Sequence, residues 1–433
     1  MKKHAFCLAV TLSIAAAAAA QTAAVLTLDS CHKQAIRMNP AGRQAELYPE
    51  MHRIQKEVLH TRKLPQMNFN AQASWQSDVT ELPIRLPGLD IPEIARDQYK
   101  LWAEVNQLVW DGGNINRQIV NDRIDMLINI NAVKVENYRL LESVNQIYFS
   151  ILSLRENEKL LRAAMDELYA RLQNVRAGIE NGTMLPSNAA ILDAEITGIE
   201  QMLTENGYNR AVALYRLEEL CGIENIRNFE LEMPHYEELP APDTRGRPEF
   251  ESFLLQKQRL SGVQVLNTLS RRPWISAYSS IGYGRPGLNM LSNDFEPYAL
   301  LGARLSWNIH DWGKMKKQEE ILVLKEQIID TQLETYERNQ RIALQTLRQD
   351  ISKIENLIAA DHRIISLRKQ TASAAAARLD QGIITSSEYL TDYNALLRAE
   401  LNLSLNRIRL GQAKLNYIST SGLLNNFTKT IEK

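Results

Sequence analysis

The stretch Ala103-Glu-Val-Asn-Gln-Leu-Val-Trp-Asp-Gly-Gly113 decides how this chain is read, because it occurs twice. It returns 200 residues later as Ala303-Arg-Leu-Ser-Trp-Asn-Ile-His-Asp-Trp-Gly313, with alanine, aspartate and glycine in register. At the same shift Glu180-Asn-Gly182 to Glu195 returns as Asp380-Gln-Gly382 to Ala395. Upstream, Asn39-Pro40 and Pro65 return as Arg247-Pro248 and Pro273 at a shift of 208. The two shifts differ by the length of an eight-residue insertion in one loop of the first copy. A long internal repeat decides architecture before any local pattern does. The expected organisation is a first copy over 24–223, a connector over 224–246, a second copy over 247–422 and a tail over 423–433.

Of the 433 residues, 50 are basic and 51 acidic, and no basic run dominates, which argues against nucleic acid as a partner. Met1-Lys-Lys opens an apolar, alanine-rich stretch from Ala5 to Ala20, read as a secretory signal peptide over 1–23. Its removal takes Lys2 and Lys3, and with them the net charge from −1 to −3. Cys7 leaves with it. Cys31 follows Leu28-Asp29-Ser30, loosely a lipoprotein cleavage box in which Asp29 fits poorly. A bond between Cys31 and Cys221 stays open in an exported protein. After the signal no apolar run is long enough for a membrane-crossing helix, and mean hydropathy is −0.30. A membrane β-barrel remains open.

From Met67 the chain alternates strictly: Met67, Phe69, Ala71, Ala73 and Trp75 against Asn68, Asn70, Gln72, Ser74 and Gln76. Period two predicts a strand with one apolar and one polar face. Four such strands are predicted, at about 66–77, 98–110, 273–284 and 297–309. Each is long enough to cross a bilayer at a tilt, and the pattern fits an ordinary half-buried sheet equally well. Trp75, Tyr99, Trp110, Trp274, Tyr298 and Trp307 near the strand ends suit interfacial girdles. The loops joining each strand pair run over 79–97, with Pro83, Pro87 and Pro92, and over 286–296.

The rest reads as helix. Proline-free stretches predict long helices over 112–178 and 312–380, each ~100 Å at the ~1.5 Å rise per residue of a helix. Val144, Ile147, Ile151 and Leu154 fall at three–four spacing, and Leu344, Leu347, Ile351 and Ile354 fall at the same places in the second copy. Leu161, Met165, Leu168, Leu172 and Val175 extend the seam, the signature of knobs-into-holes packing. Glycine breaks at Gly178, Gly182 and Gly382 precede return helices over 186–221 and 386–421. Shorter helices over about 30–63 and 249–271 precede the strand pairs. The fold class is α+β, mostly α: long coiled-coil hairpins plus four strands per chain. Four strands cannot close a barrel, and an open edge in lipid leaves backbone groups unpaired at several kcal/mol each. Membrane strands therefore require several chains sharing one barrel, and the pattern does not choose between two and three.

No catalytic or cofactor-binding constellation stands out, and no enzyme is expected. The histidines at 32, 52, 60, 235, 310 and 362 lack metal-ligand spacing. Gly313-Lys314 runs into Met315, so there is no phosphate loop. Asp111 and Asp311 are expected to cap the long helices. Glu104 and Arg304 occupy matching polar-face positions, where a lumen or plain solvent explains a charge.

Thr27-Leu-Asp-Ser-Cys31 with Ala35 and Asn39-Pro40, then Trp110-Asp-Gly-Gly113, Arg247-Pro-Glu-Phe250 and Gly382 with Ser386-Ser-Glu-Tyr-Leu390 carry a resemblance. In their order, spacing and duplication the chain resembles the TolC-like outer membrane efflux proteins. The resemblance implies a homotrimer with a twelve-stranded barrel in outer membrane lipid and an α-helical tunnel in the periplasm. It implies docking to a periplasmic adaptor (a membrane fusion protein) and an inner-membrane pump of RND or ABC type, in a tripartite efflux or type I secretion system. The chain would then be a passive exit duct. Gly182, Thr183, Gly382 and Ile383 would be the adaptor-docking turns, and Glu388 with Asp392 would line the periplasmic constriction as carboxylate rings. The sequence departs from the family at the gate: Leu379 and Ile384 stand where a tyrosine and an arginine pin it. The competing function is a soluble or peripheral periplasmic coiled-coil scaffold.

Overall fold

The computed structural model describes residues 25–79, 94–236 and 239–424. The expected signal peptide, residues 80–93 of the first strand-joining loop with its three prolines, residues 237–238 of the connector and the tail beyond 424 lie outside the described residues.

The described chain is mostly helix with a few strands. In order these are β1 (Val25–Leu26), α1 (Leu28–Met38), α2 (Ala41–Thr61), β2 (Gln66–Trp75), β3 (Asp97–Trp110), α3 (Asn114–Glu180) and α4 (Pro186–Cys221). Then follow β4 (Glu230–Leu231), α5 (Pro248–Leu269), β5 (Trp274–Arg285), β6 (Glu296–Ser306), α6 (Lys314–Asp380) and α7 (Ser386–Thr420). The helices α3 and α6 each have 67 residues. None of the described helices is long and apolar enough to cross a membrane.

Contacts divide the chain into two compact units that do not follow the sequence halves. The described residues of the first fall at 25–38, 143–236 and 351–413. Its core is a helical seam. Leu161, Ala164, Leu168, Leu172 and Val175 of α3 pack with Leu192, Ile196 and Ile199 of α4, Ala375, Ala376 and Leu379 of α6, and Tyr389 and Leu390 of α7. The three–four spacing of these residues keeps one stripe of each helix on the seam. Elsewhere in this unit α1 buries Leu28, Cys31, His32 and Ala35, one face at i, i+3, i+4 and i+7. Strand β1 pairs in parallel with β4, and Tyr148 Oη lies within hydrogen-bond reach of the carbonyls of Leu26 (2.8 Å) and Glu232 (2.7 Å) beside that pair.

The described residues of the second unit fall at 39–79, 94–142, 239–350 and 414–424. It holds an antiparallel sheet of order β2-β3-β5-β6, so β2 and β6 are its edges. A bulge between Leu108 and Trp110 shifts the β3–β5 register at the end of β3 that leads into α3. Buried Arg247, at the head of α5, sits 4.5 Å from the Tyr138 ring and donates to Glu249 at 2.8 Å and Glu142 at 3.4 Å. The Tyr138 hydroxyl donates to the Ser419 carbonyl at 2.5 Å. An arginine this deep persists because every face of it meets a carboxylate, a carbonyl or a ring.

Three local readings are corrected. The helix expected over 30–63 is two helices divided at Asn39-Pro40, because proline restricts the residue before it to extended backbone. Asn39 Oδ1 there accepts the Ala41 N–H at 3.1 Å. Gly178 does not end α3, which runs on to Glu180. The last strand stops at Ser306, not 309. Cys31 and Cys221 are free thiols and fully buried.

Candidate functional site

The sheet is the first functional feature, and its register sorts every side chain. Odd positions of all four strands share one face: Met67, Phe69 and Ala71 lie beside Val105, Ala103 and Leu101, then Ser279, Ile281 and Tyr283, then Leu301, Ala299 and Pro297. This face is apolar and open. Phe69 is 71% exposed, Ile281 67% and Leu301 82%. An apolar patch of this extent is not a surface that water stabilises. The even face carries Asn68, Asn70, Gln72, Lys100, Glu104, Asn106, Ser276, Ser280 and Arg304. Glu104 lies opposite Ser280 and Arg304 opposite Ser276, so the two charges share this polar face. Glu104 accepts from Asn106 at 2.8 Å, and the Arg304 guanidinium stands 5.3 Å from the Tyr278 ring. Gly302 and Gly282 leave room there for the rings of Tyr278 and Tyr298, which a Cβ would strike. Toward the ends that lead into the loops, Phe295 stacks on Tyr99 and Tyr283 with centroids 6.3 and 5.8 Å away.

The second feature is the start of each long helix. Asp111 Oδ1 accepts the Gly113 N–H at 2.9 Å and Oδ2 the Ile115 N–H at 2.6 Å. Asp311 treats Gly313 and Met315 alike, at 3.1 Å each. Both aspartates sit two residues ahead of the formal cap position, and the positive φ of Gly113 (92°) and Gly313 (77°) folds the chain back onto them.

The third feature is the pair of helical turns, both in the first compact unit. At the end of α3, Gly182 N–H donates to Ile179 O at 3.0 Å and Thr183 N–H to Gly178 O at 2.9 Å. At the end of α6, Gly382 N–H donates to Leu379 O at 2.8 Å and Ile383 N–H to Arg378 O at 2.9 Å. These are Schellman closures, with glycine left-handed at φ 69° and 72°. A Cβ at Gly382 would stand 3.6 Å from Thr183 O, so the two turns lie side by side. Ile383 is 62% exposed at the tip.

Glu388 sits at the third position of α7 and closes a capping box with Thr385. Its Oε2 accepts the Thr385 N–H at 2.8 Å and the hydroxyl at 3.0 Å, while Glu388 N–H donates to Thr385 Oγ1 at 3.3 Å. The Thr385 amide first and its hydroxyl second hold the carboxyl below its ordinary range, so it is ionised at neutral pH. Asp392 follows one turn on, half-buried in a groove that also holds Glu195, Arg368, Asn394 and Arg398. Leu379 and Ile384 lie in and against the apolar seam.

Sequence reading missed the bonds between the two hairpins. Arg171 donates to Asp380 at 2.7 Å, Asn174 to Asp380 at 3.2 Å, Asn394 to Glu195 at 3.0 Å, and Ser386 N–H to Asn188 Oδ1 at 2.9 Å. Buried Asn188, a polar residue one turn ahead of Leu192 and two ahead of Ile196 on the same stripe, was the one available signal. Among the described residues no three His, Cys, Asp or Glu side chains converge on a metal-sized site.

The described chain thus combines long helical hairpins with a small antiparallel sheet that is apolar and exposed on one face. Neither a protein-family model nor a curated protein matches the sequence. Solved structures do. The chain is similar to the outer membrane protein VceC of Vibrio cholerae at TM-score 0.67 and 14% identity, covering 91% of this chain and 96% of that one. It is similar to the outer-membrane channel OprN at 0.71 and 15%, covering 91% and 89%. For the Campylobacter jejuni CmeC outer membrane channel the values are 0.67 and 15%, covering 94% and 88%. At such identities the likeness is one of fold, and it extends over nearly the whole length of each protein.

Proposed function

We propose that the protein is an outer membrane channel-tunnel: a passive exit duct whose strands lie in outer membrane lipid and whose helices extend into the periplasm. The observation that carries this reading is the exposed apolar face of the β2-β3-β5-β6 sheet, backed by a polar face that bears Glu104 and Arg304. Lipid is the solvent that suits such a face. The two edge strands then need partners, since unpaired backbone groups in hydrocarbon cost several kcal/mol each. Three copies joined edge to edge through β2 and β6 give twelve strands and leave no edge. The sequence duplication supplies two strands and one hairpin from each copy, so three chains also give twelve helices for the tunnel.

The polar face lines the lumen in this arrangement. The turns at Gly182-Thr183 and Gly382-Ile383 meet a periplasmic adaptor, and an inner-membrane pump of RND or ABC type supplies the energy, in a tripartite efflux or type I secretion system. Glu388 and Asp392 each repeat three times around the narrow end, where rings of carboxylates favour cations. The bonds from Arg171 and Asn174 to Asp380 tie the two hairpins of each chain at that end. The arrangement offers ring charges and fixed hairpin ties, and it needs no catalytic group. Fractionation of expressing cells, followed by conductance measurement in planar bilayers, tests the reading. Recovery from the outer membrane with ion-conducting events is expected. Recovery in the soluble periplasm without conductance would favour the scaffold.

A further inference from the structure

The duct makes no use of Cys31 and Cys221, yet the fold brings them together across 190 residues of sequence. Cys31 lies on the buried face of α1, and Cys221 is the last residue of α4 before left-handed Gly222. Both are 0% exposed. The Cys221 thiol donates to the Cys31 carbonyl oxygen at 3.5 Å, so the two cysteines are neighbours in the fold. Met38, at the end of α1, packs over Gly222, so helix end and thiol pair form one joint. Neighbouring thiols in an oxidising compartment are drawn toward the bonded form, whereas a cytosolic chain keeps them reduced.

We propose that Cys31 and Cys221 form a disulfide after export, fastening α1 and the adjoining β1 strand to the end of α4. The inference rests on the export reading above. The oxidant is a disulfide-bearing thiol oxidoreductase or small disulfide of the periplasm. Cys221 loses its proton and attacks one sulfur of that disulfide, releasing the other as a thiol. The Cys31 thiolate then attacks Cys221 Sγ and expels the second carrier sulfur. Two protons leave the chain, and the carrier gains two electrons and two thiols. Both sulfurs are sealed in the folded chain, so exchange precedes the docking of α1 on α4. A bond closing so long a loop restricts the unfolded chain strongly, and the oxidised form melts several degrees above the reduced one.

The test uses wild-type full-length protein recovered from fractionated cells, alkylated in denaturant without reduction, digested and read by mass spectrometry. A peptide pair linked through Cys31 and Cys221 is expected, resolving into two alkylated peptides after reduction. Free, alkylated Cys31 and Cys221 on protein from the outer membrane would overturn the disulfide and leave the export reading intact. Free thiols on protein found in the cytosol would overturn both. A link from either cysteine to another chain would also overturn it.

Discussion

At Glu388 two roles meet on one carboxylate. Its Oε2 is engaged by Thr385, which fixes the first turn of α7, and the side chain is otherwise open to solvent. In the proposed trimer the same charge faces a narrow lumen together with Asp392. The double variant Glu388→Ala, Asp392→Ala is expected to lose cation preference, read as a smaller reversal potential under a salt gradient in planar bilayers. An unchanged reversal potential would take both carboxylates off the ion path. His32 offers a second residue-scale test. It is 4% exposed, its neutral ring donating from Nε2 to Asn145 Oδ1 at 2.5 Å. Burial lowers its pKa below the ordinary 6.5, against the opposing pull of the Asn145 bond and of Asp29. As pH falls the unfolded chain therefore takes up this proton first, and protonation favours unfolding. Its contribution is full above about pH 6.5 and is lost as pH drops through the lower folded-state value. The melting temperature should fall across that window, and His32→Gln should flatten the fall; an unchanged slope would show that His32 does not set it.

At the element scale the Schellman turns are the sharpest case. Alanine at Gly382 meets no steric obstacle, with Thr183 O at 3.6 Å, so its cost is the left-handed backbone alone, about 1 kcal/mol. Hydrogen exchange at the end of α6 should show that loss for Gly382→Ala and a smaller one for Gly382→Asn. Equal protection in all three would mean that the turn does not need positive φ. These turns were legible from sequence because a glycine placed between two helical patterns has few other uses. The strand faces were legible because side-chain direction in a strand depends only on parity. Element ends were less so: Ser306 stops β6 where pairing with Trp274 ends, and pairing is a property of two segments. The inter-hairpin bonds of Arg171, Asn174 and Asp380 were not legible at all. They depend on which helix faces meet, and the sequence places those residues more than 200 apart.

At the scale of the whole molecule, the compact units each gather three distant segments, so sequence order predicts elements better than it predicts contacts. What reaches across the scales is the sheet. Phe69 and Asn68 are neighbours on β2 with opposite faces. In the proposed channel Phe69→Lys places a charge against lipid, at a cost of ~2–4 kcal/mol near mid-bilayer, and should sharply reduce the amount of protein assembled in the outer membrane. Asn68→Lys should assemble normally and shift ion selectivity instead. Equal assembly of the two variants would mean that the odd face does not meet lipid. If that face meets lipid, β2 and β6 need partners, and that need is the centre of the account. The most direct test is native mass spectrometry of protein released from outer membrane detergent micelles. Three copies of the chain per particle, stable only while detergent is present, is the predicted result; a single chain that stays dispersed in plain buffer would contradict it.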